Sequence, residues 1–459
     1  MQSTMQSTQL PFLVDDLWHI IIDILSHPPS PNDSNVEDET EDRGPPKRLH
    51  VLIHLSSTCK WLRGLLVPRI FESLYLKNTV KSALSIQAIA HGNHSACVKN
   101  LHYIGICEED QLDSPLPEVY PPEVNNILSN LSLFPNLQHL SIDFPMDSSE
   151  LWQDTFNEPF NPSREDALAQ EEEDTWYGLM ASSFNAIASN NPIHFHSLEL
   201  HHLNVAEIST FTTPAFRTLI SQLKSFNLSL EPLDNGAGWQ FNWAEIFHGF
   251  ADRFAPWFTD HLHSVEEFTL DPSESAVLGD SGQPYGHDIS LADSNMPRLR
   301  KLTLRNIIVC VELRDFILRH LTTLEEVVLQ ECYAIQTWDA VTWYDLFTPL
   351  AQAFSTSSPT CLKSVKVCYD NPQDEMLDLN VEWSDPDLVA RAQAKIAAEP
   401  AARAFFYGAI SDKYGYLLRD SDKTLELFLR GDDARSYQDL MDVLEGNASH
   451  GGDTTVSES

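Results

Sequence analysis

The sequence predicts an α/β solenoid of parallel strands and helices, preceded by a small all-helical module. Two observations predict the solenoid: an apolar–x–x–apolar–x–apolar pattern recurs along most of the chain, and helical apolar spacing fills several of the intervals. The third observation is the length, because 459 residues exceed what one hydrophobic core usually supports. A stacked array that grows by repetition accommodates such a length.

The composition excludes several classes of partner. The chain has 67 acidic and 29 basic residues, a net charge of −38, so phosphates would be repelled and we expect no nucleic-acid or membrane partner. No apolar run approaches the roughly 20 residues that a membrane helix needs, and the first ten residues lack an apolar signal region. Seven cysteines without framework spacing favour a reducing compartment, so we expect a cytoplasmic and/or nuclear protein.

The helical module is predicted over residues 10–76, after a disordered N-terminus at residues 1–9. Leu10 and Pro11 precede a run with amphipathic helical spacing that ends at Leu25. Residues 26–48 are rich in proline and acidic residues and cannot offset their ordering entropy, so we expect a disordered acidic insertion. Helical spacing then resumes at Leu49 and ends near Pro68, and a strand-like Ser73-Leu-Tyr-Leu follows.

The repeated pattern occupies residues 77–430 and matches the strand core of a leucine-rich repeat. Its eight copies begin at Val98, Leu137, Phe195, Leu223, Val265, Leu299, Leu324 and Leu362. They start 25 to 58 residues apart, which makes the array irregular, and helices are predicted at 176–190, 216–223, 243–258 and 313–321. Acidic loops are expected near 143–174 and 271–295, and a C-terminal helix end with a polar tail at 431–459.

Two stretches resemble a known family. Leu10-Pro11 with the following helix, then Leu55-Ser-Ser-Thr-Cys-Lys-Trp-Leu-Arg-Gly-Leu and Pro68-Arg-Ile-Phe, resemble an F-box. Leu313-Arg-Asp-Phe-Ile-Leu-Arg-His-Leu-Thr-Thr-Leu-Glu-Glu-Val-Val-Leu-Gln-Glu-Cys resembles the LRxFLxxHxxTLxxLxLxxC repeat of filamentous-fungal F-box proteins with divergent leucine-rich repeats. The similarity covers most of residues 10–430, although the acidic insertion departs from the family's short connection between the F-box helices.

The resemblance implies a non-catalytic substrate receptor of an SCF-type cullin–RING ubiquitin ligase. In such a receptor the F-box binds the Skp-type adaptor, and through it the cullin complex, while the repeats bind a target protein that the sequence does not identify. The positions that the resemblance assigns to the adaptor surface are Leu10, Pro11, Leu17, Ile20, Ile21, Leu25, Leu55, Cys59, Trp61 and Leu62.

The strand residues that alternate with the buried positions predict the target-binding face, because side chains reverse direction at every residue of a strand. Its candidate residues are Asp143, Glu199, His201, Asp271, Lys301, Arg305, Gln330 and Lys366. Acidic residues prevail in the earlier units, whereas Lys301, Arg305 and Lys366 come late, which indicates a dipolar face. The alternative is an ordinary solvated surface.

We expect no enzyme and no cofactor. Cys-x-x-Cys, His-Glu-x-x-His, Gly-x-Ser-x-Gly and Walker-type motifs do not occur in the sequence. Four imidazoles, His194, His196, His201 and His202, form a metal-like cluster, but His201 and His202 are expected on opposite faces of a strand, so we predict no metal site. The alternative functions are a repeat scaffold without ubiquitin-ligase association and an enzyme with a site built across the repeats, and the helical module could instead pack onto the first repeat.

Overall fold

The computed structural model describes residues 47–107, 111, 114–145, 163–205, 207–230, 239, 242, 244–279, 286–291, 296–335, 341–355, 360–369, 385–411 and 413–450. The helices in these ranges are α1 (Lys47–Thr58), α2 (Lys60–Ile70), α3 (Val80–Ala90), α4 (Leu116–Val119), α5 (Pro122–Leu128), α6 (Arg164–Glu173), α7 (Thr175–Ala188), α8 (Pro214–Ser221), α9 (Glu245–Trp257), α10 (Val311–His320), α11 (Trp343–Ser355), α12 (Pro386–Ala398), α13 (Ser421–Arg430) and α14 (Asp432–His450).

Nine strands form one parallel sheet. They are β1 (Ser73–Lys77), β2 (Asn100–Ile104), β3 (His139–Asp143), β4 (Ser197–Leu203), β5 (Ser225–Leu230), β6 (Glu267–Asp271), β7 (Lys301–Arg305), β9 (Glu326–Gln330) and β11 (Ser364–Cys368). Each pairs with its neighbour in chain order, from β1 at one edge to β11 at the other. The short strands β8 (Ile308–Val309) and β10 (Tyr333–Ala334) pair in parallel, and β12 (Gly408–Ile410) and β13 (Leu417–Arg419) form an antiparallel pair.

All eight predicted repeat strands are confirmed, in one direction and in chain order, which is compatible with a solenoid. The reason lies in the apolar pattern, since its last two apolar residues are buried on one side of every strand. Leu101 and Tyr103, Phe268 and Leu270, and Val327 and Leu329 are examples, and none of these side chains has measurable exposure. The strand β1 also joins this sheet, so the sheet begins inside the residues assigned to the helical module.

The connections between strands carry the helices that cover the buried side of the sheet. The predicted helices at 176–190, 216–223, 243–258 and 313–321 correspond to α7, α8, α9 and α10. Aromatic rings fill the irregular space beneath them, with ring centroids 5.1 Å apart for Phe184 and Phe211 and 5.0 Å apart for Phe211 and Phe258. Large side chains therefore let connections of unequal length enclose one continuous core.

The prediction of an acidic loop near 143–174 is wrong for residues 164–173, which form α6. Ser163 begins this helix, its hydroxyl accepting from the N–H of Asp166 at 3.1 Å, and acidic residues occupy the first turn. The Glu171 carboxylate then accepts from the N–H and the hydroxyl of Ser209 at 2.6 and 2.7 Å. Residues 146–162 of the predicted loop lie outside the described residues.

The described parts of 271–295 also do not leave the array. Val277 and Ile289 are fully buried, and the Glu312 carboxylate accepts from the N–H groups of Ile289 and Leu291 at 2.8 and 2.6 Å. The apolar residues within this Gly- and Ser-rich stretch explain the difference, because burying them outweighs the weak local propensity. The stretch therefore packs against the N-terminus of α10.

The C-terminal part departs further from the prediction. Residues 432–450 form the helix α14, which is more than the predicted helix end, and Leu440 and Leu444 bury against the main core. Residues 451–459 of the predicted polar tail lie outside the described residues. Helices α12 and α13 enclose a second, small core with Ala392, Phe406 and Phe428. Tyr437 of α14 donates to the carbonyl of Val365 at 2.8 Å, and Arg403 donates to the carbonyl of Val367, so both cover the outer edge of β11.

Candidate functional site

The side of the sheet opposite the helices is polar, and we call it the open face. Its central row runs across all nine strands in continuous register and consists of Tyr75, His102, Ser141, Glu199, Asn227, Thr269, Thr303, Val328 and Lys366. All except Ser141 are partly or fully exposed. The row is mostly polar, with Val328 as its aliphatic member, and its residues alternate along each strand with buried positions.

The eight residues predicted for target binding all lie on this face. Glu199 and Lys366 belong to the central row, and Lys301 lies on the row before it. Asp143, His201, Asp271, Arg305 and Gln330 lie on the row after it. The structure brings some together, with 3.8 Å between Arg305 Nε and Asp271 Oδ2, and it separates others, since Asp143 and Lys366 lie on β3 and β11.

Histidines and carboxylates form one end of the open face, on β2 to β4. His201 Nε2 lies 3.3 Å from Glu199 Oε2, and His202 Nδ1 lies 2.9 Å from Asp143 Oδ1. The hydrogen bond with His201 lowers the pKa of Glu199, whereas burial lowers the pKa of His102. Glu199 is therefore ionised at neutral pH.

The expectation that His201 and His202 point to opposite faces is wrong. The pairing of β4 with β5 shifts by one residue between Leu200 and Leu203, and His202 has a left-handed φ of 49°. This bulge places both imidazoles beside the carboxylates of the open face and returns Leu203 to the core. Even so, within the ranges described above no group of three or more His, Cys, Asp or Glu side chains is arranged to hold a metal ion.

Charged residues of alternating sign form the other end of the open face, and we call them the charge ladder. From β6 to β11 they are Glu266 and Glu267, Arg300 and Lys301, Glu325 and Glu326, and Lys363, joined by Lys366 of the central row. Glu325 binds Arg300 Nε through Oε1 at 2.6 Å and Lys363 through Oε2 at 2.6 Å. Glu326 likewise lies 3.7 Å from Lys301 and 2.5 Å from Lys366.

The pKa values of Glu325 and Glu326 reflect their contacts with two basic side chains each. Hydrogen bonds from Lys363 and Arg300 hold the pKa of Glu325 below its ordinary value, and the hydrogen bond from Lys366 does the same for Glu326. A groove of about 420 Å³ runs along the ladder. The charged residues line this groove, and their ion pairs between neighbouring strands also stabilise the pairing of the strands.

Sequence reasoning missed most of the ladder, although its signal is visible. Between the first and second apolar residues of the last four repeat units stand Glu-Glu, Arg-Lys, Glu-Glu and Lys-Ser. The charge alternates from one unit to the next, but these residues are 25 to 38 positions apart in the chain. The alternation therefore predicts ion pairs only once consecutive units are known to form adjacent strands. The missed residues are Glu266, Glu267, Arg300, Glu325, Glu326 and Lys363.

The charge of the open face is divided between its two halves. From β3 to β6 there are five acidic residues, Asp143, Glu199, Glu266, Glu267 and Asp271, and one basic residue, Lys224, giving −4 with neutral histidines. From β7 to β11 there are five basic residues, Arg300, Lys301, Arg305, Lys363 and Lys366, and two acidic ones, Glu325 and Glu326, giving +3. The late half is thus positive in a chain whose total charge is −38.

The helical unit at the N-terminal end, α1 and α2, has a small core of its own. Leu52, Leu62 and Leu66 are buried in it, apart from the main core. Cys59 begins α2, its sulfur accepting from the N–H of Leu62 at 3.4 Å. The unit meets the sheet domain near the stacked rings of Phe71 and His94, whose centroids are 4.7 Å apart.

Only some of the predicted adaptor residues fall on the described chain. Trp61 is 49% exposed and Cys59 is exposed, Leu55 is half-buried, and Leu62 is buried inside the unit. Leu10, Pro11, Leu17, Ile20, Ile21 and Leu25 lie outside the described residues. Val51 and Ile53 of α1, which sequence reasoning missed, are also exposed apolar residues, at 48% and 42%.

No protein-family model matches the chain, and no curated protein matches its sequence. Among the residues with assigned positions, no helix has the length and apolar character needed to cross a lipid bilayer.

The cysteine after the seventh repeat strand has a structural position. Cys332 Sγ lies 3.5 Å from the carbonyl of Leu304 and 3.4 Å from that of Gln330, and both contacts fit a thiol donor. Burial raises the pKa of Cys332 to about 12, so the thiol stays protonated. It joins two neighbouring turns of the array.

Proposed function

We propose that the protein is a substrate receptor of an SCF-type cullin–RING ubiquitin ligase. The N-terminal helical unit would bind a Skp-type adaptor, the open face would bind the target protein, and the transfer of ubiquitin would be carried out by other subunits. The F-box-like and repeat-like sequence motifs support this assignment, and the chain itself would contribute binding and proximity only.

The observation that carries the proposal is the exposed apolar surface of the small helical unit. Val51, Ile53 and Trp61 expose nearly half of their surface in a unit whose core, over the described helices α1 and α2, has three buried leucines. Exposed aromatic and aliphatic side chains on so small a unit are typical of residues that bury against a partner. The open face offers a second, polar surface with a different chemistry, which suits a protein that connects two partners.

The test is coexpression of the full chain with a Skp-type adaptor, followed by size-exclusion chromatography. We expect a one-to-one complex with the wild type and none with the double variant Val51→Asp, Trp61→Ala. The matched control is Leu84→Asp, because Leu84 is 51% exposed on α3 outside the unit, and this variant should keep the complex. Absence of a complex with the folded wild type would contradict the ligase assignment and would favour the repeat scaffold.

A further inference from the structure

We propose that the half of the open face formed by β7, β9 and β11 is the docking site for an acidic, extended segment of the target protein. The inference rests on the proposed function in that it identifies the kind of segment the receptor holds. The site consists of the charge ladder from Arg300 to Lys366, and its occupant would be a peptide with carboxylates two to four residues apart.

The first argument is a local surplus of positive charge. Glu325 and Glu326 are each shared by two cations, and Glu266 and Glu267 stand on the other side of Arg300 and Lys301, so the ladder cations with the fewest carboxylate neighbours are Lys363 and Lys366 on β11. A lysine ammonium has three N–H donors. Within the described part of the chain, Lys363 and Lys366 each use one ion-pair contact, so donors remain to bind a further anion.

The second argument is accessibility. The side chains of Arg300, Lys363 and Lys366 are 58%, 69% and 55% exposed, and Arg300 and Lys363 border the groove of about 420 Å³. The ladder also ends on β11, the last strand of the sheet, so Lys363 and Lys366 have a carboxylate strand on one side only.

The third argument concerns the shape of the occupant. Neighbouring strands lie about 4.8 Å apart, so β7 and β11 are separated by roughly 10 Å, which about three extended residues span. Backbone pairing at the edge of β11 is disfavoured because Tyr437 and Arg403 already occupy the carbonyls of Val365 and Val367. The peptide would therefore cross the strands on the open face and bind through its side chains.

The adjoining half of the face limits where an acidic segment can lie. From β3 to β6 the face has a net charge of −4, so acidic residues that continue past β7 would meet Asp271, Glu267 and Glu199. Such like-charge contacts disfavour a wrong register of the partner. A segment that is acidic over β7 to β11 and neutral or basic beyond it fits the whole face.

The test is fluorescence anisotropy of a fluorescein-labelled peptide of roughly twelve residues, alternating Glu and Ser, with the purified full chain. We expect the double variant Lys363→Gln, Lys366→Gln to bind the peptide about tenfold or more weakly, because charge-assisted hydrogen bonds at both lysines are lost. The matched control is Lys77→Gln with Lys99→Gln, which removes the same charge from the β1–β2 end of the same face and should change affinity less than twofold. Lys363→Arg with Lys366→Arg should restore affinity to within threefold.

Three results of the binding measurement would overturn the proposal: no binding to the wild type, equal binding of the peptide with Gln in place of Glu, or equal weakening in both double variants. Self-association of the chain that only the Lys363/Lys366 variant abolishes, without peptide binding, would assign the site to a second copy and would also overturn it. Circular dichroism checks that every variant is folded. The Lys363/Lys366 variant should still bind the adaptor, so failure here is distinguishable from failure of the ligase assignment.

Discussion

The Asn78 side chain pairs with both polar groups of the Ile106 backbone. Its Oδ1 accepts from the N–H of Ile106 at 2.9 Å, and its Nδ2 donates to the carbonyl of Ile106 at 2.6 Å. Nδ2 also donates to the carbonyl of Val119 at 2.8 Å. One buried amide therefore fastens the turn after β1 to the irregular chain after β2, where no strand could supply these hydrogen bonds.

Replacing Asn78 should destabilise the protein strongly. Asn78→Ala leaves buried backbone groups without partners, and we expect the free energy of unfolding to fall by about 2–4 kcal/mol. Asn78→Asp should cost at least as much, because its carboxylate would face two carbonyl oxygens. Urea denaturation monitored by circular dichroism measures this, with Asn185→Ala on the exposed side of α7 as the control, expected within about 0.5 kcal/mol of the wild type.

Core and surface residues of the helical unit should respond differently. Leu66 is fully buried, so Leu66→Ala should destabilise α1 and α2 by about 2–5 kcal/mol, whereas Trp61→Ala should cost much less because Trp61 is 49% exposed. Amide hydrogen exchange of α1 and α2 measures the effect locally, since their core is separate from the main core. If exchange in α1 and α2 accelerates equally in both variants, Trp61 stabilises the fold of the helical unit and is not merely an exposed surface residue.

Removing the cover from the edge of β11 should promote self-association. In the variant Arg403→Ala, Tyr437→Phe the carbonyls of Val365 and Val367 lose their donors, which makes the edge strand a template for another chain. We expect the apparent molar mass of this variant, measured by light scattering, to increase with protein concentration. The control is Arg435→Ala, which removes an exposed arginine from α14, the helix that carries Tyr437. This variant should be as monodisperse as the wild type.

A buried histidine should make stability sensitive to acid. Burial lowers the pKa of His287 from 6.5 to about 4, and its ring lies 4.4 Å from that of His248 and 5.2 Å from that of Phe247. Between these pH values the unfolded chain binds a proton that the folded chain does not, so stability is lost as the pH falls from 6.5 towards 4. The total loss is of the order of 3 kcal/mol.

The variant His287→Phe removes this titration while keeping an aromatic ring beside Phe247. Its stability relative to the wild type should therefore rise as the pH falls, measured by urea denaturation at pH 7, 6 and 5. His91→Phe changes an exposed histidine and should show no such trend. A pH-independent difference for His287→Phe would show that the ring does not titrate in this range.

Apolar alternation predicted the sheet because burial on one side dictates the residue type at every second strand position. The bulge at His202 was not predictable, since one extra residue after Leu200 leaves the apolar–x–x–apolar–x–apolar pattern of that repeat unit unchanged. The region from α12 to α14 was also missed, because it buries Phe406, Leu440 and Leu444 without repeating any pattern. The open face was predicted, but its charge ladder depends on contacts between strands that only the register defines.

The continuous central row has a consequence for divergence among related chains. Each residue of this row stands between two core positions of its strand and points away from the helices, so replacing it alters the surface without disturbing the core. Insertions between strands cost little closure entropy, and the 25 to 58 residues between strand patterns already span a wide range. A lineage with this architecture can exchange its partner through a few substitutions in one row, while the scaffold that presents them stays the same.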